Sequence, residues 1–213
     1  PYGTGSVFVI DPLYTVPLLL GLVLTLRRQR LRSNDWMLGL STLYLGFGLL
    51  AQLHVKNLVL AQLPAGTSSE AVLVTATPLN TLVWQVIVLE PDHYREGFYA
   101  LADSGKPVVW RHWPRDQALL QHWQQNRYIA QLTRFSDEFV VLTATPDALL
   151  LADLRMGLAP NYSFHFAFRR SADGSLQPPC QLSSAVQQGQ AGLALRWLYQ
   201  RASGQQTTAF FNQ

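Results

Sequence analysis

Trp36–Leu53, WMLGLSTLYLGFGLLAQL, is a run of 18 residues without a formal charge, and it limits what this chain can fold into. As a helix rising about 1.5 Å per residue it is about 27 Å long, close to the thickness of a bilayer's hydrocarbon core. A soluble helix of that length shows a polar stripe. Here Ser41, Thr42 and Gln52 are the strongly polar side chains, and Gly39, Gly46 and Gly48 lie among leucines. The run reads as a membrane helix.

Val7–Leu26 is a second apolar run, interrupted by Asp11, Pro12 and Pro17, and RRQRLRSND separates it from the first. The pair predicts a membrane hairpin over residues 1–63, with helices near 12–26 and 36–63. Proline biases the residue before it away from helix, so Asp11 is expected as an N-cap with Pro12 at the first helical position. The alternative for Asp11 is a carboxylate offered to a metal or substrate at the interface. Arg27, Arg28, Arg30 and Arg32 fall in the hairpin turn, and basic loops stay cytoplasmic, so the rest of the chain is expected on the opposite side.

Of the 16 basic residues these four sit in the turn, and the remaining 12 face 13 acidic ones, so no basic surface is left to suggest nucleic acid. The single cysteine, Cys180, excludes an internal disulfide and a cysteine-rich metal cage.

From residue 66 the pattern is that of a soluble α+β domain. AVLVTATP (71–78), LVWQVIVLE (82–90) and HYREGFYALAD (93–103) predict an antiparallel meander, and VVWRHW (108–113) a further strand. Asp116 opens an amphipathic helix, residues 127–135 a second, and 138–155 reads as a hairpin turning at Pro146-Asp147. Tyr162–Phe168 alternates strictly, predicting one strand with Tyr162, Phe164, Phe166 and Phe168 on one face. A linker containing Gly174 follows, then a terminal helix over Ser183–Ser203 and a polar tail. The fold class is thus α+β: a two-helix membrane hairpin, then a mainly antiparallel domain (66–175) with two or three helices, then residues 176–213. Residues 66–213 have apolar positions enough to be expected to fold without the hairpin. VLVTATP (72–78) and VVLTATP (140–146) are near-identical, and shared strand-then-turn chemistry accounts for them.

The chain lacks a phosphate-binding glycine loop, G-x-S-x-G and H-E-x-x-H, and His54, His93, His112, His122 and His165 have no ligand spacing. No cluster of three ligands is visible, so no tightly held catalytic metal is expected on this chain alone.

Three segments, Asp11-Pro12-Leu13-Tyr14-Thr15, Thr77-Pro78-Leu79-Asn80-Thr81-Leu82-Val83-Trp84 and Ala152-Asp153-Leu154-Arg155-Met156-Gly157, resemble in order the C-terminal half of bacterial inner-membrane metal-dependent hydrolases of the YdjM-like, LexA-regulated family. Tyr2-Gly3-Thr4 is similar to a segment preceding that family's D-P-L-Y helix. The family's histidine-rich motifs do not occur here. The resemblance therefore implies a C-terminal portion of a hydrolase, with a divalent metal held mostly by an upstream segment. It implies Asp11 as a contributing metal ligand and catalytic group, and Asn80 and Arg155 as polar groups that orient a small-molecule or lipid-like substrate. The implied location is a bacterial inner membrane, in contact with lipid, with the domain periplasmic. The rival expectation is a non-catalytic, membrane-tethered binding or sensory domain.

Overall fold

A computed structural model describes residues 5–8, 10–28, 31–171, 175–182 and 190–205. Tyr2, Gly3, Thr4 and Gly174, the first residues of the expected terminal helix (183–189) and the tail from 206 lie outside them. The protein is α+β: an N-terminal helix pair precedes two antiparallel four-stranded sheets and three further helices.

Helix α1 spans Pro12–Arg28 and α2 spans Leu31–Gln62. Asp11 caps α1 as its place before Pro12 predicts, its Oδ1 accepting from Leu13 N at 2.9 Å. Only part of the Val7–Leu26 run is helical, because the chain through Gly5–Phe8 and Ile10 is irregular. There Gly5 O accepts from Ala76 N at 3.0 Å. A Cβ on Gly48 would sit 2.7 Å from Ser6 O, so glycine lets this segment cross α2. Helix α2 begins at Leu31, ahead of the expected start near residue 36.

The two helices pack antiparallel. Gly21 meets Met37, where an added Cβ would lie 2.9 Å from the Met37 Cβ, and Ser41 Oγ donates to Tyr14 O at 3.0 Å. Away from that seam the apolar side chains face outward, with Leu26 73%, Leu43 73% and Leu50 68% exposed. Helix α2 is long and apolar enough to cross a membrane, and only 17% of its apolar window is buried. A core helix of a soluble protein is mostly buried, so this exposure favours a lipid-facing surface.

The first sheet joins β1 (Val72–Ala76), β2 (Val83–Leu89), β3 (His93–Ala100) and β4 (Trp110–Pro114) in the expected meander. One face, carrying Val72, Val74, Trp84, Val86 and Tyr99, receives Ala51, Val55, Val59 and Leu63 of α2. The other face, with Ile87 and Tyr94, meets Phe139, Leu154 and Tyr162. Covered on both sides, β2 is apolar at every position but Gln85. The expected boundary between 63 and 66 therefore runs through packed core, because the C-terminal half of α2 forms one wall of the domain.

The second sheet has the order β10-β9-β6-β5, from β5 (Val140–Ala144), β6 (Ala148–Asp153), β9 (His165–Arg169) and β10 (Cys180–Leu182). Val140, Leu142, Leu149, Leu151 and Phe168 pack with Ile129 beneath α3 (Gln117–Trp123) and α4 (Arg127–Phe135). The strand expected over 162–168 is divided. Tyr162 pairs in a small hairpin, β7 (Gly157–Leu158) with β8 (Asn161–Tyr162), and the chain then crosses to the second sheet at His165. Phe164, at the crossing, is exposed, so the four aromatics do not share one buried face. Helix α5 (Gln190–Ala202) packs Trp197 against Phe98, with ring centroids 4.9 Å apart.

The near-repeat has a common physical role. Thr77 Oγ1 donates to Val83 O at 2.9 Å and Thr145 Oγ1 to Ala148 O at 2.9 Å. Each threonine bonds back to the first residue of the strand that follows.

Candidate functional site

The first two matched segments meet where the hairpin joins the domain. Asp11 is fully buried, and its Oδ2 accepts from the Tyr44 hydroxyl of α2 at 2.8 Å. Tyr44 Oη lies 2.9 Å from Thr81 Oγ1, and because the tyrosine hydrogen is engaged by Asp11, Thr81 is the donor in that bond. Asn80 folds the adjoining β1–β2 turn: its Oδ1 accepts from Leu82 N at 2.9 Å and Val83 N at 2.8 Å, and its Nδ2 donates to Thr77 Oγ1 at 3.0 Å. The turn takes the left-handed conformation at Leu79, φ +65°. Asp11, Tyr44 and Thr81 thus tie both helices of the N-terminal pair to the first turn of the domain.

Arg155 belongs to a different cluster. Its Nη2 lies 3.0 Å and its Nε 3.2 Å from the carboxylate of buried Asp153, and its Nη1 lies 3.4 Å from Asp137. Asp153 also accepts from Ser136 Oγ at 2.6 Å and Arg155 N at 2.9 Å, which fixes the end of α4 to the β6–β7 turn. Gly157 ends that segment at φ +110°, where a Cβ would lie 2.8 Å from Tyr162 Cα. Gln85 Nε2 donates to Gly157 O at 3.0 Å and to buried Glu96 at 2.7 Å, and Glu96 also accepts from Ala159 N at 3.2 Å. Burial holds the Glu96 carboxyl above its ordinary range. Burial likewise pushes Tyr94 up to about 12, while its hydroxyl accepts from Tyr162 at 2.9 Å.

The structure thus brings Asp11 and Asn80 to neighbouring parts of one junction and leaves Arg155 with partners of its own. Both Asp11 carboxylate oxygens accept hydrogen bonds, and no other histidine, cysteine or carboxylate groups with it among the described residues.

The one such group among the described residues is Glu90, Asp92 and His93, whose potential ligand atoms lie within 4.8 Å of one another at the β2–β3 turn. Sequence spacing did not single it out, since Glu90 ends one expected strand and His93 begins the next. Tyr44 was missed for a similar reason, as a lone hydroxyl inside an apolar helix. A groove of about 540 Å³ between α3 and α4 is lined by Arg115, Gln121, Thr133, Arg134, Asp137 and Glu138.

Fold and junction together define a two-sheet α+β domain carried on a helical hairpin. Comparison with protein-family models, with curated proteins and with solved structures finds no match for this chain.

Proposed function

We propose that this protein is a membrane-tethered binding or sensory module, with the α1–α2 hairpin in a bacterial inner membrane and both sheets on the periplasmic side. The observation that carries the reading is the outward-facing apolar surface of both helices, from Leu13 through Leu26 and from Trp36 through Leu53, which water solvates poorly and lipid solvates well. Arg27 and Arg32 are exposed near one end of this surface, and the Asp11–Tyr44–Thr81 junction lies at the other. A basic turn retained in the cytoplasm places the sheets outside. Asp11 and Asn80 serve the junction and Arg155 the contact of the α4 end with the β6–β7 turn, so each supports a fold contact better than a reaction centre.

The test is labelling by a membrane-impermeant maleimide in intact spheroplasts. With Cys180→Ser as background, Lys106→Cys is expected to react before lysis and Arg30→Cys only after it. The reverse pattern refutes the orientation, and recovery of the protein in the soluble fraction refutes the tether.

A second reading, the metal-dependent hydrolase suggested by the three resembling segments, is favoured by one arrangement, the Glu90–Asp92–His93 group. Metal-stimulated hydrolysis by the parent protein in membranes, lost with chelator, tests it.

A further inference from the structure

The turn Glu90-Pro91-Asp92-His93 closes the β2–β3 hairpin, with Glu90 N donating to His93 O at 2.9 Å. It holds the His93 ring at both nitrogens. Nδ1 lies 2.7 Å from Asp92 Oδ1, and Nε2 lies 2.6 Å from Glu90 Oε2. The other Glu90 oxygen is paired with Arg95 at 2.5 Å. Strand pairing sets Arg95 opposite His112 and His93 opposite Pro114, so both imidazoles stand on one face of the first sheet. Their ring centroids are 5.1 Å apart. The His93 and Glu90 side chains are 28% and 29% exposed, which leaves an open path from solvent.

We infer that this turn is a binding site for a divalent transition metal of the zinc class, with His93 Nε2, Glu90 Oε2 and His112 as ligands and Asp92 holding His93 from behind. Two imidazoles, a carboxylate and a water form a donor set that suits zinc, and Asp92 on Nδ1–H supplies the carboxylate that orients a metal-bound histidine. The metal binds the Nε2 lone pair and one carboxylate oxygen, and any proton held on either atom leaves to solvent. Metal–ligand bonds of about 2.0–2.2 Å at a tetrahedral angle set the two donor atoms roughly 3.4 Å apart, so Glu90 withdraws by about 0.8 Å. The exposed His112 reaches the ion by side-chain rotation. An ion-pair mesh alone accounts for Glu90, Asp92 and Arg95, but not for a second imidazole on the same face beside the first. The site is independent of membrane insertion, since it stands on the domain's own turn.

The test is calorimetric titration of Zn²⁺ into the full chain in detergent micelles, purified without a histidine tag, with Co²⁺ absorption as the report of coordination. One Zn²⁺ per chain is expected, lost in His93→Ala and Glu90→Gln and weakened about tenfold or more in His112→Ala and Asp92→Asn. Cys180→Ser and His122→Ala are expected to bind as the parent does. Circular dichroism identifies any variant that has unfolded, and the isosteric Glu90→Gln serves if His93→Ala fails. Absence of stoichiometric binding, or binding unchanged in folded His93→Ala or Glu90→Gln, overturns the site.

Discussion

The Tyr44 hydroxyl donates to Asp11 Oδ2 at 2.8 Å, joining the middle of α2 to the N-terminus of α1 at a point where the carboxylate is fully buried. A buried acceptor that loses its donor retains its desolvation cost, about 1–3 kcal/mol and more for a charge. Tyr44→Phe is therefore expected to lower the thermal midpoint of the detergent-solubilised protein by that free energy, while Tyr14→Phe does not. An unchanged midpoint for Tyr44→Phe would sink the junction's role.

Arg201 of α5 reaches buried Asp103 with Nη2 to Oδ2 at 2.7 Å and Nη1 to Oδ1 at 3.0 Å, and Nη2 also donates to Phe98 O at 2.8 Å. Breaking such a pair from one side costs about 3–5 kcal/mol, so Arg201→Met is expected to show that loss in denaturant unfolding and to release Trp197 fluorescence from its buried environment. Burial works to raise the Asp103 pKa, but hydrogen bonds from Arg201 and Ala100 N outweigh it and hold the carboxyl below its ordinary 3.8. A depressed folded-state value gives stability that is complete above the unfolded-state pKa and lost as pH falls through the lowered one. The difference between parent and Arg201→Met is thus expected to shrink in acid below about pH 4.

Glu96 has the opposite sign. Burial raises its folded-state pKa above the ordinary 4.5, so the folded chain binds more protons than the unfolded one between the two values. Its contribution to stability therefore grows as pH falls from neutral through the raised value. Glu96→Gln keeps an oxygen for the Gln85 and Ala159 donors and removes the titration. Melting curves between pH 5 and 8 are expected to be flatter for the variant in that range, and identical pH profiles would refute the assignment.

A chain beginning at residue 66 lacks Ala51, Val55, Val59 and Leu63, which cover the Val72, Val74, Trp84 and Val86 face of the first sheet. It is expected to bind a hydrophobic dye and to unfold without cooperativity. Restoring α2 from Leu50 should recover a cooperative transition. Cooperative unfolding of the shorter chain would show that the helix is dispensable to the core.

The Asp116 cap was legible because it is local: Asp116 accepts from Leu119 N at 2.8 Å and opens α3 as its position predicts. The first meander was legible because apolar runs alternate with Pro, Asn and Gly turns. The division of 162–168 was not, since Tyr162 and Phe168 alternate correctly but are buried in different clusters, which depends on the path between two sheets. Glu90 and His93 were legible as the ends of two successive strands, but not, with Asp92, as a group of ligands.

The sequence by itself determined the elements whose causes lie within a few residues: an uncharged helix, caps, turns and the strands between them. Tertiary structure decided what those elements share. It placed Asp11 against Tyr44 and Thr81, made the end of α2 a wall of the first sheet, and set His112 beside His93. Period and propensity act over single turns and pleats, whereas these pairings arise where distant segments exclude water together, and no local pattern encodes which distant face that will be.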